Sequence, residues 1–398
     1  MNLKKDIKIL ILSCGTGGGH NSAAIAIQEK FLNRGIEADF IEYLEIINEK
    51  VKDKINKLYI NSTKGEGKIF KTVYHLGELY EKTKLKSPIY QLNSLNKNKL
   101  YKYIIDNNYD YVITTHLFPT QALTAIKKNN EVHFIAVATD YVSIPFWEET
   151  NPDYFVVPSR DLEGDFVKKG IDRNKLLAFG IPVREAYTKE YNEEECKKNL
   201  NLDINKRYVL ILTGSMGFGN IKTILKELLC VIKDVNFIVA CGNNTKMVEE
   251  LSKEYERDSR VIALPFTTNI SEYMKISEVI LTKPGGLTTT EIANLRKPLI
   301  HTMPIPGCEN YNANFFESRK MSLKCEDEKD IIVKTKELLE NKHLQKEIIE
   351  NQKRFISNNT CEKIVDFVLN EVSKGINNYD KWRKKHRKWR CYTSVGTT

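Results

Sequence analysis

The sequence has no run of 18 uncharged apolar residues among its 398, so it predicts no helix able to cross a bilayer. Its eight cysteines include no CxxC pair, which argues against zinc knuckles and against a dense disulfide framework. The N-terminal apolar run ends in glycines rather than at a small-residue cleavage site, so it is predicted to be a buried strand and not an export signal. These absences predict a cytoplasmic protein with reduced thiols.

The hydrophobic content of the chain is higher than that of a disordered protein. Hydrophobic residues make up 41% of it, which is enough to build packed cores. A length of 398 residues exceeds what one hydrophobic core usually fills. We therefore predict two domains.

The net charge of +9 comes from two segments. Residues 50–104 contain 13 basic and 4 acidic residues, and residues 374–398 contain 8 basic and 1 acidic residue, so the rest of the chain carries −7. The C-terminal segment interleaves Trp382, Trp389 and Tyr392 with its basic side chains. Rings and cations together suit an anionic bilayer surface. Nucleic acid, or simple solvation of a disordered tail, also fits this composition.

Two series of strand and helix patterns follow one another along the chain. Residues 7–14 form an apolar run that ends at glycines, and apolar residues at helical spacing follow it. The same arrangement recurs at 207–213, where the glycines of 214–219 lead into a second helix pattern. Further strands are predicted at 36–43, 109–115, 132–139, 153–159, 236–242, 260–266, 278–286 and 298–304. The predicted fold class is α/β, with two doubly wound, Rossmann-like domains whose strand ends face one cleft.

A histidine follows the first glycine loop. The loop, Gly15 to Gly19, lies where a strand becomes a helix, so its amides can approach an anion closely. It matches neither a Walker motif nor the dinucleotide fingerprint G-x-G-x-x-G. His20 can remove a proton from an attacking hydroxyl because its ordinary pKa lies near the working pH. The alternative is a histidine that only caps the helix.

Two later motifs offer groups for a nucleotide sugar. TKPGGLTTTE at 282–291 again leads from a strand into a helix, and its amides and hydroxyls suit a phosphate while Glu291 suits a ribose diol. The alternative is a capping box made of Thr288 and Glu291. PIPGCENYNA at 304–313 supplies a carboxylate and two amides, which hydrogen-bond sugar hydroxyls.

The order of the motifs resembles that of one family. GTGGGH at 15–20, TDY at 139–141, GIPVR at 180–184 and the two motifs above are together similar to the monogalactosyldiacylglycerol synthase and processive diacylglycerol glucosyltransferase group. This group belongs to glycosyltransferase family 28 and has the GT-B fold. The resemblance covers most of residues 7–320. The N-acetylglucosaminyltransferase that makes the lipid precursor of peptidoglycan is a more distant relative.

The resemblance implies a division of the chain into three parts. Residues 1–182 would form an acceptor- and membrane-facing domain that carries a basic insertion at 50–105. Residues 183–358 would form the UDP-sugar-binding domain. Residues 359–398 would supply a helix that packs back on the first domain, followed by the basic aromatic tail.

The resemblance also implies roles for individual residues. His20 would be the general base, and Asp140 would orient it or the acceptor. Gly214 and Ser215 would bind the diphosphate, Phe266 the uracil, Thr288 a phosphate, Glu291 the ribose, and Glu309 and Asn312 the hexose. The other implied donor-binding residues are Gly18, Gly19, Gly285 and Gly286. Three positions depart from the family pattern, since Cys308 replaces the usual Gln, Tyr311 the usual Gly, and Asn21 an Arg of the plant enzymes. The departures leave the sugar and the acceptor open.

The implied reaction is an inverting transfer of a hexose from UDP-glucose or UDP-galactose to diacylglycerol or a glycosyl-diacylglycerol. The chain contains no D-x-D motif, so no metal and no other cofactor is predicted, and amides and helix dipoles would stabilise the leaving diphosphate. The expected location is the cytoplasmic face of the membrane, reached through segments 50–105 and 374–398, without a nucleic-acid partner.

Two other functions remain open from the sequence. One is a peptidoglycan-type UDP-N-acetylglucosamine transferase, and the other is a UDP-sugar 2-epimerase that acts without lipid. A nucleic-acid-binding module would explain the basic tail but neither glycine loop.

Overall fold

The computed structural model describes residues 7–15, 18–47, 86–213, 220–304 and 307–374. Most of the basic insertion, the glycine loop at 214–219 and the C-terminal tail from residue 375 lie outside this part of the chain. Among the described residues, none of the helices has the length and apolar character needed to cross a membrane.

The first half of the chain forms a parallel six-stranded sheet in the order β2-β1-β3-β4-β5-β6. Its strands are β1 (Lys8–Ser13), β2 (Glu37–Glu42), β3 (Tyr111–Thr114), β4 (Phe134–Val137), β5 (Tyr154–Val156) and β6 (Leu176–Leu177). The helices of this half are α1 (Gly19–Asn33), α2 (Tyr43–Ile47), α3 (Pro88–Leu95), α4 (Lys97–Asp106), α5 (Leu117–Lys127) and α6 (Glu163–Lys168). Short 3₁₀ turns lie at Trp147–Glu149, Arg160–Leu162, Arg173–Lys175 and Glu185–Tyr187.

The second half forms another parallel six-stranded sheet in the order β12-β11-β10-β7-β8-β9. Its strands are β7 (Tyr208–Leu212), β8 (Asn236–Gly242), β9 (Val261–Pro265), β10 (Val279–Thr282), β11 (Leu299–His301) and β12 (Leu323–Lys324). The helices are α7 (Glu193–Asn199), α8 (Ile221–Val231), α9 (Thr245–Glu254), α10 (Ile270–Lys275), α11 (Gly286–Asn294), α12 (Cys308–Ser318), α13 (Glu328–Glu340), α14 (Lys342–Phe355) and α15 (360–374).

The predicted fold class is confirmed, and every predicted strand is present. The strands are recognisable because helices cover both faces of each sheet, so their residues are apolar without alternation. In β1, for example, Ile9, Leu10, Ile11 and Leu12 are all fully buried. The edge strands β6 and β12 were not predicted, because two residues are too few to show any periodicity.

Helix α15 returns to the first sheet and closes its core. Its buried side chains belong to the same apolar cluster as residues of β1, β3, β4 and β5, and they are Ile364, Val365, Val368 and Val372. The helix begins beside Gly180 of the GIPVR motif, where φ is +108° and an added Cβ would lie 2.6 Å from the Thr360 hydroxyl. Both the positive φ and the close approach require glycine there.

The two halves touch at the carboxyl ends of their sheets. An added Cβ on Gly19 would lie 3.6 Å from Cβ of Leu287, which is ordinary van der Waals contact. An added Cβ on Gly286 would lie 2.1 Å from the carbonyl oxygen of Thr139, so only glycine permits this approach. The glycine-rich helix starts of the two halves therefore meet across one interface.

Candidate active site

Both glycine motifs lie where open α/β sheets bind ligands. In the first sheet β1 lies between β2 and β3, and in the second β7 lies between β8 and β10. At these places successive connections run in opposite directions, so a crevice opens at the carboxyl ends of the strands. The first glycine loop follows β1, and the 282–291 motif follows β10. Gly214 and Ser215, predicted at the second crevice, lie outside the described residues.

His20 lies in the first turn of α1 and is half-buried. Its Nδ1 is 2.9 Å from the carbonyl oxygen of Thr115 and 2.9 Å from Oγ1 of Thr139. Because a carbonyl oxygen only accepts hydrogen bonds, Nδ1 carries the proton of the neutral ring and Nε2 keeps its lone pair. Among the described residues no side chain caps α1, so the alternative of a purely capping histidine is wrong.

The surroundings keep the His20 ring neutral in the resting site. Burial lowers its pKa, whereas the carboxylate of Asp140 and the carbonyl of Thr115 raise it. A neutral imidazole can accept a proton, and the nearby carboxylate stabilises the imidazolium that results. The site thus has the electrostatics of a general base.

A second histidine, His116, packs against the first and was not predicted. The two rings meet edge to face, with their centroids 4.7 Å apart. The Nδ1 of His116 accepts the backbone N–H of Phe118 at 3.1 Å and so caps α5. Burial, and secondarily the neighbouring His20, hold the pKa of His116 well below its ordinary value. Its place directly after strand β3, next to the switch point, is the sequence feature that could have identified it.

Asp140 is held by a residue of the other domain. Its Oδ1 accepts the amide of Asn312 at 2.8 Å. The same Asn312 side chain donates to the carbonyl of Pro284 at 3.0 Å and accepts the backbone N–H of Tyr141 at 2.7 Å. Asn312 is fully buried. The structure therefore brings His20, Asp140 and Asn312 together, and it places Asn312 between the domains.

The start of α11 offers free backbone amides to an anion. Gly285 is its N-cap residue, and among the described residues no side chain caps the helix. Thr288 lies inside the first turn rather than at the cap position, so the alternative of a Thr288–Glu291 capping box is wrong. Uncapped amides at a helix N-terminus, close to Gly286, are a suitable site for phosphate.

Glu291 is buried in the interior of α11, close to the interdomain connection. Burial raises the pKa of its carboxyl to about 8, and the nearby guanidinium of Arg184 only partly offsets this. Arg184 belongs to the GIPVR motif, and its Nε donates to Glu29 of α1 at 2.9 Å. The unliganded protein thus keeps a carboxyl group protonated at neutral pH beside the proposed ribose position.

The remaining predicted donor residues lie at a strand end or at a helix start. Phe266 follows β9 and is 67% exposed, which leaves its ring free to stack on a base. Glu309 is in the first turn of α12. Gly18 is the N-cap residue of α1. Cys308, which departs from the family pattern, lies next to Glu309, and burial together with the charges of Asp140 and Glu309 raises the pKa of its thiol well above the ordinary value.

The described residues contain no group of three His, Cys, Asp or Glu side chains arranged to hold a metal ion.

Comparison with known families divides the chain in the same way as the two sheets. The profile described as "Monogalactosyldiacylglycerol (MGDG) synthase" matches residues 20–183. The profile described as "Glycosyltransferase family 28 C-terminal domain" matches residues 208–368. The first match covers strands β2 to β6 and the second covers strands β7 to β12.

Relatives that align over nearly their whole length include processive diacylglycerol beta-glucosyltransferases of Bacillus species. The chain is 28% identical over 373 residues to a processive diacylglycerol beta-glucosyltransferase of Bacillus cytotoxicus, an alignment that covers 92% of this chain and 94% of the relative. It is 26% identical to a protein of the same name from Bacillus cereus, with the same coverage.

Solved structures share the fold at low sequence identity. The MurG protein of Acinetobacter baumannii superposes with a TM-score of 0.60 at 14% identity, over 92% of this chain and 99% of that one. The UDP-GlcNAc 2-epimerase of Neisseria meningitidis, solved with UDP-GlcNAc bound, superposes with a TM-score of 0.60 at 15% identity, over 92% and 100% of the two chains. Similarity of this kind supports the GT-B architecture and does not separate transferases from epimerases.

Proposed function

The chain belongs to the monogalactosyldiacylglycerol synthase group of glycosyltransferase family 28, and on that premise we propose that it transfers a hexose from a UDP-sugar to diacylglycerol or to a glycosyl-diacylglycerol. Relatives that match over nearly their whole length are named beta-glucosyltransferases, so glucose is the hexose we expect. Some relatives are also named processive, so the proposal includes products that carry more than one sugar.

One observation supports this proposal more than any other. The neutral His20, with its Nε2 lone pair, lies on one side of the interdomain contact, and the uncapped start of α11 lies on the other. A base and an anion-binding helix start that face each other are what a displacement at a sugar diphosphate requires.

The proposed reaction is a single displacement with inversion. The acceptor hydroxyl gives its proton to Nε2 of His20 while its oxygen forms a bond to the anomeric carbon, and the bond from that carbon to the UDP oxygen breaks. The carboxylate of Asp140 stabilises the imidazolium that forms. The amides at Gly286 and the dipole of α11 stabilise the charge on the departing diphosphate, and in this scheme no metal takes part.

A diacylglycerol acceptor requires the enzyme to reach a bilayer, and we propose that α3 and α4 contribute the contact. Leu92 and Leu95 on α3 are 63% and 76% exposed, although neighbouring Tyr90 is buried against the domain. Lys99 and Lys102 on the following helix, α4, are also exposed. Leucines that insert and lysines that meet anionic headgroups form an interfacial surface, with each lysine contributing about 1 kcal/mol. The adjoining segment 48–85 and the tail from residue 375 lie outside the described residues.

Replacing Leu92 and Leu95 together by glutamate is expected to weaken binding to anionic vesicles by at least about tenfold, because two apolar side chains are lost and two negative charges are gained. Sedimentation with vesicles of phosphatidylglycerol and phosphatidylcholine measures the effect. The matched control is Val333→Glu, which changes a residue 63% exposed on α13 of the other domain and should leave binding unchanged. Equal binding by all three proteins would exclude α3 from the membrane contact.

The function itself is tested by incubating the purified protein with vesicles that contain diacylglycerol. Three separate reactions receive UDP-glucose, UDP-galactose or UDP-N-acetylglucosamine as the donor. We expect mass spectrometry to detect hexosyl-diacylglycerol with UDP-glucose. Preferential binding of UDP-N-acetylglucosamine, with no product formed on diacylglycerol from any donor, would favour the peptidoglycan-type alternative. Conversion of the UDP-sugar to its 2-epimer without lipid would instead favour the epimerase.

A further inference from the structure

We propose that Asn312 is a positioning residue that couples contact between the domains to the orientation of His20, and that it does not bind the donor hexose. The proposal rests on the role of His20 proposed above. It concerns three consecutive residues of the first domain, Thr139, Asp140 and Tyr141, which follow strand β4 and are called the TDY tripeptide below.

The TDY tripeptide contacts His20 through its first residue and Asn312 through the other two. Oγ1 of Thr139 is 2.9 Å from Nδ1 of His20. The carboxylate of Asp140 accepts from Asn312 at 2.8 Å, and the backbone N–H of Tyr141 donates back to the same side chain at 2.7 Å. The tripeptide is thus a direct connection between the proposed base and the second domain.

The hydrogen-bonding capacity of the Asn312 amide is largely used in this arrangement. One N–H goes to Asp140 and the other goes to the carbonyl of Pro284 at 3.0 Å, while Oδ1 accepts from Tyr141. An asparagine has only two side-chain N–H donors, so none is left for a sugar hydroxyl. The side chain is also 0% exposed, so a sugar would have to displace an interdomain contact to reach it.

The side chain of Tyr141 adds an apolar contact to the same interface. Its ring stacks on Phe315 with centroids 4.6 Å apart and meets Phe316 edge to face at 5.0 Å. Its hydroxyl is 2.8 Å from Oγ1 of Thr290. Only 2% of Tyr141 is exposed, although its contacts are with α11 and α12 of the other domain. The ring and the Asn312 hydrogen bonds therefore form together when the domains are in contact and are lost together when they separate.

The consequence for catalysis is that the base is fully oriented only while the donor domain is in place. With the TDY tripeptide docked, Thr139 restrains Nδ1 of His20 and Asp140 stays close to the ring. Separation of the domains removes the Asn312 bonds that hold the tripeptide, so both restraints weaken and only the bond from Nδ1 to the Thr115 carbonyl still orients the ring. Such coupling limits proton abstraction to the closed enzyme, from which water is excluded.

Hydrogen exchange at the backbone amide of Tyr141 tests the coupling directly, because that amide donates to Asn312. In Asn312→Ala we expect exchange at Tyr141 to accelerate about tenfold or more, since the amide loses its acceptor and the interface loosens. Tyr141→Phe, which removes only the contact with Thr290, should accelerate it by a smaller factor and serves as the second variant if the alanine variant does not fold. Asn351→Ala is the matched control, since it loses a hydrogen bond inside the second domain only.

A split between turnover and affinity separates positioning from sugar binding. A positioning role predicts that Asn312→Ala lowers kcat about 10- to 100-fold while the Kd values for UDP and UDP-glucose stay within about twofold of wild type. Unchanged exchange at Tyr141, together with weaker binding of UDP-glucose but not of UDP, would show that Asn312 binds the hexose and would overturn the proposal. Unchanged exchange and unchanged turnover would overturn it as well. The exchange result does not depend on the acceptor, so failure of the proposed function would remain distinguishable.

Discussion

Replacing His20 by alanine is expected to lower kcat for hexose transfer by about 10²- to 10⁴-fold, the usual contribution of a positioned general base. The Kd for the UDP-sugar should stay within about twofold of wild type, because the ring is bonded to Thr115 and Thr139 of its own domain rather than to the donor site. Initial rates on diacylglycerol vesicles and calorimetric titration with UDP-sugar measure the two quantities.

The matched control for this variant is His133→Ala. His133 lies at the start of β4, with Nδ1 3.6 Å from Asp153, so it is at the opposite end of the strands from the site. Its loss should leave kcat unchanged. If His20→Ala weakened donor binding as much as turnover, the ring would be part of the donor site and not the base.

The pH profile provides a second readout of the same assignment. Because burial lowers the pKa of His20, the acid limb of kcat/KM is expected below pH 6.5. The charge of Asp140 raises that pKa, so Asp140→Asn should move the limb to still lower pH as well as reduce turnover. If the acid limb of kcat/KM stayed at the same pH in Asp140→Asn, the charge of Asp140 would have no influence on the pKa of His20.

Replacing Glu291 by glutamine is expected to stabilise the unliganded protein and to weaken donor binding. The carboxyl has a pKa of about 8 in the folded chain against an ordinary value of 4.5. Between these values the folded state binds more protons than the unfolded state, so the wild-type free energy of unfolding falls as pH rises from 4.5 to 8. At 1.36 kcal/mol per unit, the ionisation of Glu291 costs the fold roughly 3 kcal/mol at pH 7 and about 4 kcal/mol at pH 8.

Glutamine removes this cost because it has no charge to desolvate. We therefore expect Glu291→Gln to raise the thermal midpoint by several degrees at pH 8 and to have little effect at pH 4.5, which a series of calorimetric scans checks. Glu340→Gln, which changes an exposed glutamate on α13, is the matched control and should not alter the pH dependence. A midpoint for Glu291→Gln that was unchanged or lower at pH 8 would contradict the buried, protonated carboxyl.

The second half of the prediction concerns the nucleotide. If the ionised carboxylate holds the ribose diol, its replacement should weaken UDP binding about 10- to 100-fold, as expected for loss of charged hydrogen bonds. In the wild-type protein UDP binding should tighten with rising pH up to about 8, because binding then requires less deprotonation. Higher stability with unchanged UDP affinity would leave Glu291 as a buried group without a role in donor binding.

The two glycine motifs show how much of the site was predictable. Each follows an apolar strand and opens a helix, and both the strand and the helix have local sequence signatures. His20 could be identified for the same reason, since its position relative to β1 and α1 is fixed by a few neighbouring residues. His116 was missed because only the neighbouring placement of β1 and β3 brings it to His20, 96 positions earlier in the chain.

Asn312 and Glu291 show where prediction from the sequence was incomplete. Both residues belong to motifs of the donor domain, and the sequence suggested that both face the nucleotide sugar. The structure places Asn312 against the first domain, where Asp140 and Tyr141 use its hydrogen bonds. It also buries Glu291 deeply enough to change its protonation at neutral pH. Neither property depends on the residues next to them in the chain.

The sequence by itself determined the alternation of buried strands and amphipathic helices, the two glycine-rich helix starts and the family to which the chain belongs. These features are local. A strand that is buried on both faces shows as a run of consecutive apolar residues, and a flexible backbone position shows as a glycine. Only the tertiary structure decided which groups meet across the cleft, which histidine nitrogen keeps its lone pair and which polar groups lose their water. Those outcomes depend on strand order and on contact between the domains, which join residues more than 90 positions apart.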